Sequence, residues 1–511
     1  MNPAFVWAPA VVATEAPRPE NVPQLAGLVT DMKVLSELEP DDLRAALLPL
    51  AAGYRAWLDG EETRIGDPTA GIGGHEAAAR QVLADARKVA DAIETGIDLV
   101  CNDPDALDAF RFANQAMWKQ RIHSVAIERR RGHAKLSLRD ALSDADRPKN
   151  RSWRPFQLAF VLQCLPSLTD PSHVERTQAG GLADLLFFPT GGGKTEAYLG
   201  LVAYTLAIRR IQGVVGAGDD AVDGRDGVAV LMRYTLRLLT AQQFQRAATL
   251  MCAAELLRKH RAKEDDRYAG RPFRLGMWVG GSVAPNKAKD AEAFVENAHL
   301  GGAGRGQATP LQLTDCPWCG REIDPKTDTR YDAGLARFLV FCGDAKECAF
   351  TQRHAPDEGL PVVTVDEEIY RLLPAFVIAT IDKFAQLPWN GAVSTLFGRV
   401  ESRCERHGFR NPDLDRSHRS HWEERDTHQP LGDHPKARTV PSTICSSVSC
   451  TACSVSWVRR SENSELARTA SRPSCSALSS GDGPSALPPA RLRSASRLRA
   501  SCVTDCSMVA R

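Results

Sequence analysis

With 511 residues, 43% of them apolar, the chain is long enough for roughly two to four domains with ordinary cores. Its 64 basic and 63 acidic residues leave a net charge of +1, so any nucleic-acid track must be local. No apolar run approaches the ~18–20 residues of a membrane span, the N-terminus lacks the basic flank and apolar core of a signal peptide, and four of the 14 cysteines fall in metal-like spacing, so a reduced, cytoplasmic protein is expected.

Residues 1–30, rich in Pro and Ala without a sustained period, read as a flexible lead-in. Residues 31–150 carry a helical pattern: Leu43, Leu47 and Leu48, then Ala78–Gly96, then Ala106–Val125. The glycine cluster at 66–74 has no strand before it and no Lys-Thr after it, and is a loop. Phe110–Gln115 reads as buried helix packing. Arg129–Arg131 reads as a solvated helix end, with a nucleic-acid contact as the alternative.

A third region, 151–410, is organised around Phe188-Pro-Thr-Gly-Gly-Gly-Lys-Thr195, which follows the apolar run Ala183–Phe187 and opens a helical pattern at Glu196. A strand, a glycine turn and a helix form the context in which backbone N–H groups and a helix N-terminus wrap phosphates. The candidate ATP site is Pro189, Thr190, Gly191, Gly192, Gly193, Lys194, Thr195 and Glu196, with Lys194 toward the β/γ-phosphates and Thr195 toward Mg²⁺. Upstream, Gln157, with Arg154 beside it, resembles by position the glutamine with which superfamily 2 helicases read the adenine edge, which an amide donor and acceptor can match; a plain surface glutamine is the alternative.

Three more strands are expected, at Val228–Met232, Leu275–Val279 and Phe376–Thr380, each delivering polar residues at its C-terminal end. Arg233, Thr235, Arg237 and Gln242 after the first, Gly280 and Gly281 after the second, and Thr380 and Lys383 after the third resemble, by position, the nucleic-acid-contact motifs of superfamily 2 helicases, which implies contact with one nucleic-acid strand; ordinary solvated loops and helix faces are the alternative. Val363-Thr-Val-Asp-Glu-Glu-Ile369 mimics a strand with a Mg²⁺-binding acidic pair, but it precedes the Phe376–Thr380 strand and runs into a helical phase, so it is read as a helix N-terminus. Within 310–352, Cys316-Pro-Trp-Cys319 has knuckle spacing and Cys342 and Cys348 supply a looser second half; four thiolates close a structural Zn²⁺ site.

Taken together, Phe110–Met117 (FRFANQAM), Arg154–Phe160 (RPFQLAF), Leu186–Glu196 (LFFPTGGGKTE), Arg233–Gln243 (RYTLRLLTAQQ), Met277–Asn286 (MWVGGSVAPN), Cys316–Gly320 (CPWCG) and Val377–Ala385 (VIATIDKFA) resemble the superfamily 2 helicases, most of all the large helicase subunit of the DISARM anti-phage defence system. The resemblance covers roughly 100–410. It implies an α/β fold: a RecA-like P-loop domain, with a parallel sheet and helices on both faces, preceded by a helical region and carrying a zinc-ribbon insertion. It further implies ATP hydrolysis coupled to movement on DNA, a second lobe, and a companion subunit.

Beyond about Val440 the pattern breaks: residues 440–511 hold 18 Ser, 6 Cys, 9 Arg and no Lys. The stretch 411–511 is expected to be irregular, either disordered on composition or a frameshifted translation, since Val448-Ser449-Cys450-Thr451 can encode Glu-Leu-His in another frame. The resemblance places motif II downstream of Phe397, and neither it nor the second lobe is legible. An arginine finger alone is worth roughly 10³–10⁵ in rate, so the chain is expected to bind Mg·ATP and nucleic acid with weak turnover or none; the alternative is a non-catalytic ATP- and DNA-binding module.

Overall fold

The computed structural model describes residues 19–133, 136–178, 182–186, 193–217, 221–234, 237–302, 308–398, 400, 402–404 and 407–410, and beyond these four strand segments given below. From Met32 to Thr169 the chain is mainly helical. Leu25 and Leu28 of the lead-in are buried against the core, so only part of 1–30 was open to reading as loose chain. The helices of this region are α1 (Met32–Leu35), α2 (Pro40–Ile65), α3 (Glu76–Asn102), α4 (Pro104–Gly132), α5 (Leu138–Ala145) and α6 (Pro155–Thr169). Local chemistry sets their starts. Pro104 occupies the first turn of α4, where its missing N–H costs nothing, and Asp103 caps the helix by accepting from the Ala106 N–H at 2.9 Å.

Within Phe110–Gln115, Phe110, Phe112 and Asn114 are buried, as expected, while Arg111 and Gln115 are partly so; Met117 is buried as well. Asn114 bridges inward, accepting from the Trp153 indole N–H at 2.8 Å and donating to the Phe110 carbonyl at 2.9 Å, so its amide is satisfied inside the core.

The mixed α/β part continues through α7 (Val174–Thr177), β1 (Ala183–Leu186), α8 (Lys194–Gln212), β2 (Val214–Val215), β3 (Val222–Asp223), β4 (Val230–Tyr234), α9 (Arg237–Arg261), β5 (Leu275–Trp278) and α10 (Ala288–His299). The hairpin β6 (Thr329–Asp332) and β7 (Arg337–Val340) leads to β8 (Val362–Val363), α11 (Asp366–Leu372), β9 (Phe376–Thr380) and α12 (Ile381–Gln386). Short strands complete the described chain: β10 (Ser402–Cys404), β11 (Gly408–Arg410), β12 (His428–Pro430), β13 (Lys436–Ala437), β14 (Ser442–Cys445) and β15 (Leu498–Ser501).

The central sheet has five parallel strands in the order β14-β4-β9-β5-β8. Alternation of side chains along each strand divides the core in two. Val230, Met232, Leu275, Met277, Phe376 and Ile378 join the large cluster that contains Phe244, Leu250 and Met251 of α9. Leu231, Trp278, Val377 and Ala379 point the other way, onto Ile369, Tyr370 and Leu372 of α11. Helices on both faces of a parallel sheet are therefore built directly by a period of two.

Two features depart from expectation. Among the described residues, β1, the strand before the glycine loop, pairs in parallel with β15 and not with the central sheet. And β14, from the stretch read as irregular, extends the central sheet beside β4, Ser442 opposite Val230 and Cys445 opposite Arg233. Backbone hydrogen bonding along an open edge accepts almost any short extended segment, which composition alone does not reveal.

Candidate functional site

Of the glycine loop, Pro189, Thr190, Gly191 and Gly192 lie outside the described residues, together with Phe188. The junction between the loop and α8 is well defined. Gly193 has φ +91°, the left-handed region that favours glycine, and leads straight into α8 at Lys194. Gln157 reaches across from the first turn of α6: its side-chain N–H donates to the Gly193 carbonyl at 2.7 Å, while its Oε1 accepts from the Arg154 backbone N–H at 2.8 Å. A Cβ placed on Gly193 would meet Gln157 Nε2 at 2.7 Å, Glu196 Oε2 at 3.4 Å and an Arg154 guanidinium nitrogen at 3.7 Å. Arg154, Gln157, Gly193 and Glu196, spread over some forty residues of sequence, thus converge on one point. Burial lowers the pKa of the neighbouring Lys194 ammonium.

Two residues at this point had no signal in the sequence. Glu196 Oε1 is shared by the guanidinium of Arg246, from α9, and that of Arg121, from α4, at 3.4 Å. They come from 50 and 75 residues away, which only the packing of α4 and α9 on α8 brings together.

The strand ends give a mixed picture. Because β4, β9 and β5 run parallel, their C-terminal ends share one edge of the sheet, with Arg233 and Trp278 both opposite Ala379, and Tyr234 opposite Thr380. Gly281, in the turn after β5, is exposed and Gly280 beside it is partly so. Arg233 and Thr380 are buried. Thr235 lies outside the described residues, and so do the side chains of Arg237 and Gln242.

Lys383 is turned inward as well. It is buried, ion-paired with Asp366, and lies over the Trp278 ring. The candidate nucleic-acid contact Lys383 is instead held inside by Asp366, at the start of α11; Asp366–Glu368 do form a helix N-terminus. Burial raises the Asp366 carboxyl to about 6, against the pull of Lys383. A carboxyl raised above its ordinary 3.8 adds stability in full below that value and loses it as pH climbs through about 6. A melting-temperature profile is expected to show this decline, and Asp366→Asn to flatten it; an unchanged profile would exclude Asp366 as its source.

The second site is metal-like. The Sγ atoms of Cys316, Cys319, Cys342 and Cys348 all lie within 4.8 Å of one another and all four residues are buried. Cys316 and Cys348 are 3.8 Å apart and Cys319 and Cys342 are 3.4 Å apart. A disulfide requires about 2.05 Å, whereas a tetrahedral Zn²⁺ with bonds of about 2.3 Å implies sulfur–sulfur edges of about 3.8 Å. The residues fit a closed four-thiolate site with no open position, hence a structural one. Gly320, at φ +78°, turns the knuckle tightly and packs against Ile127 of α4.

This knuckle corrects the reading of Arg129–Arg131. Arg130 donates to the Cys319 carbonyl and to the Leu136 carbonyl, and Arg131 pairs with Asp315 at 2.9 Å. His123, two turns earlier on α4, stacks on Trp318 with ring centroids 3.4 Å apart and contacts the Trp318 carbonyl at 2.7 Å. A charge run looks solvated in one dimension; here two of its three members dock the insertion. On the far side of the insertion, Glu358 receives Arg274 at 2.6 and 2.7 Å and Arg337 at 3.0 and 3.1 Å, tying the hairpin to the entry of β5.

The chain is similar to the DISARM protein DrmA of Bacillus paralicheniformis. The two are 34% identical over 411 residues, which cover 78% of this chain and 33% of DrmA. The chain thus spans about a third of the length of the curated relative it matches. No protein-family model matches it. Among the described residues no helix is long and apolar enough to cross a membrane.

Proposed function

We propose that this chain carries the nucleotide-binding part of an ATP-driven DNA helicase or translocase of the DISARM type, acting in phage defence with a companion subunit. The observation that carries the ATP reading is the convergence of Arg154, Gln157 and Glu196 on Gly193, the residue that links the glycine loop to α8. In this reading Gln157 and Arg154 stand at the base, Lys194 neutralises the β/γ-phosphates, and Thr195 with the bound triphosphate holds Mg²⁺, whose charge offsets that developing on the transferred phosphoryl group. RecA-like architecture is the natural frame for a parallel sheet whose strand ends share one edge. The exposed Gly280–Gly281 turn and the start of α9 are the proposed path of a DNA strand, and Lys383 is left out of it. The four cysteines are proposed to hold structural zinc.

A non-catalytic ATP- and DNA-binding module is the second reading, and one observation favours it. The resemblance places motif II on a strand downstream of Phe397; β14 lies downstream and parallel to β4, yet its sequence Ser442-Thr-Ile-Cys445 carries no carboxylate.

The test is binding of a fluorescent ATP analogue, and ATP hydrolysis with and without single-stranded DNA, by the whole chain and by Lys194→Ala. Mg-dependent binding weakened at least about tenfold in the variant is expected, since a charged hydrogen bond contributes ~1.5–3 kcal/mol. Binding indifferent to Lys194 would sink the ATP reading. DNA-stimulated turnover would select the enzyme, and binding without turnover the module.

A further inference from the structure

Glu196 does more in the structure than follow a phosphate loop. It stands in the first turn of α8, two residues after Lys194. One of its oxygens, Oε1, receives two guanidinium groups, Arg246 and Arg121. The other, Oε2, is buried, has no hydrogen-bond partner among the described residues, and faces the position a Gly193 Cβ would take. A single carboxylate cancels one unit of charge, so two guanidinium groups sharing one of its oxygens keep a net positive charge between them. Arg121 has one further fixed contact, with the Asn150 carbonyl at 3.1 Å, which orients it without neutralising it. Arg154 is close enough to add to the positive field at Arg121. The helix start after such a loop is where β- and γ-phosphates are held, and an excess of guanidinium there matches a group with three anionic oxygens.

We propose that Arg121 and Arg246 form a cationic pair serving the terminal phosphate of a bound nucleoside triphosphate, with Glu196 as the positioning residue that holds both beside the loop. The inference rests on the ATP reading and deepens it: it assigns the discrimination of triphosphate from diphosphate to one residue of the helical region and one of α9. The helical region then belongs to the nucleotide site and is more than a platform for it.

The experiment titrates mant-ATP and mant-ADP, each with Mg²⁺, into the whole chain and into Arg121→Gln, Arg246→Ala, Arg246→Lys and Glu196→Gln. Loss of a charge-assisted contact to the terminal phosphate is expected to weaken mant-ATP by roughly tenfold or more while mant-ADP changes by less than about twofold. Arg246→Lys, which keeps the charge, should retain most of the preference. Glu196→Gln, which keeps both cations but loosens their placement, should reduce the preference only in part. Equal weakening of both nucleotides would show a merely structural role and overturn the pair, as would an unchanged ratio in Arg121→Gln, whose side chain is 31% exposed and whose folding is checked by an unchanged melting temperature. A wild-type chain that binds neither nucleotide would overturn the ATP reading itself, an outcome distinct from the other two.

Discussion

Replacing Cys316 with Ser is expected to strip the metal and open the insertion. The wild-type chain should carry one zinc by elemental analysis, and the variant much less, because a closed tetrahedral site does not tolerate the loss of one of four thiolates. Structural zinc contributes an apparent ~10–16 kcal/mol in small modules, comparable to the whole ~5–15 kcal/mol stability margin of an ordinary domain. The insertion should therefore unfold locally and lose the His123–Trp318 stack, a change that limited proteolysis between residues 310 and 360 would detect. Proteolysis is the sharper readout, since residues outside the insertion, such as Phe244 and Leu250 on one face and Ile369 and Leu396 on the other, still cover the sheet. A variant that keeps its zinc and its resistance to protease would show that the four sulfurs are neighbours without being ligands.

The second large effect is at Glu358. Its carboxylate is buried between Arg274 and Arg337, both also buried, with four charge-assisted hydrogen bonds of 2.6–3.1 Å. Glu358→Ala leaves two guanidinium groups without their anion, and breaking a buried pair in this way costs about 3–5 kcal/mol. Burial pushes the Glu358 carboxyl upward, but the two arginines overcome it and hold the group down at about 2, against an ordinary 4.5. The sign follows from linkage: the contribution is complete above about pH 4.5 and is lost as pH falls toward 2. Urea denaturation from pH 5 down to 2 should show stability dropping in the wild type along this limb, and a flatter limb in Glu358→Gln. A Glu358→Ala midpoint within error of wild type at pH 7 would contradict this role for the carboxylate.

What the sequence made legible, and what it did not, divides along contact range. Phe376–Thr380 and Leu275–Trp278 were readable because short apolar runs bounded by turns are local signals. The four cysteines were readable because a metal imposes spacing on its ligands. Gln157 was readable only as one candidate among surface glutamines; its contact with Gly193 bridges 36 residues. Arg121 and Arg246 were invisible, since nothing near either in the chain announces a carboxylate on another helix. Lys383 was misread for the same reason, its partner Asp366 lying 17 residues upstream. The separation of β1 from the central sheet was not legible either, because strand pairing is a property of neighbours that sequence alone does not identify.

Helix α4 joins these observations. Arg121 pairs with Glu196 just after the glycine loop, and nine residues on, about 13–14 Å along the axis, Arg130 holds the knuckle carbonyl of Cys319. Both contacts lie on the C-terminal half of α4, so if nucleotide and zinc bind as proposed, one helix segment links their occupancies. Any shift of α4 that favours one ligand changes the affinity for the other, and by the same factor in both directions. Whatever nucleotide does to the hold on zinc against a competing chelator, zinc would do to the hold on nucleotide by the same factor, two measurements of a single coupling energy made from two points on one helix.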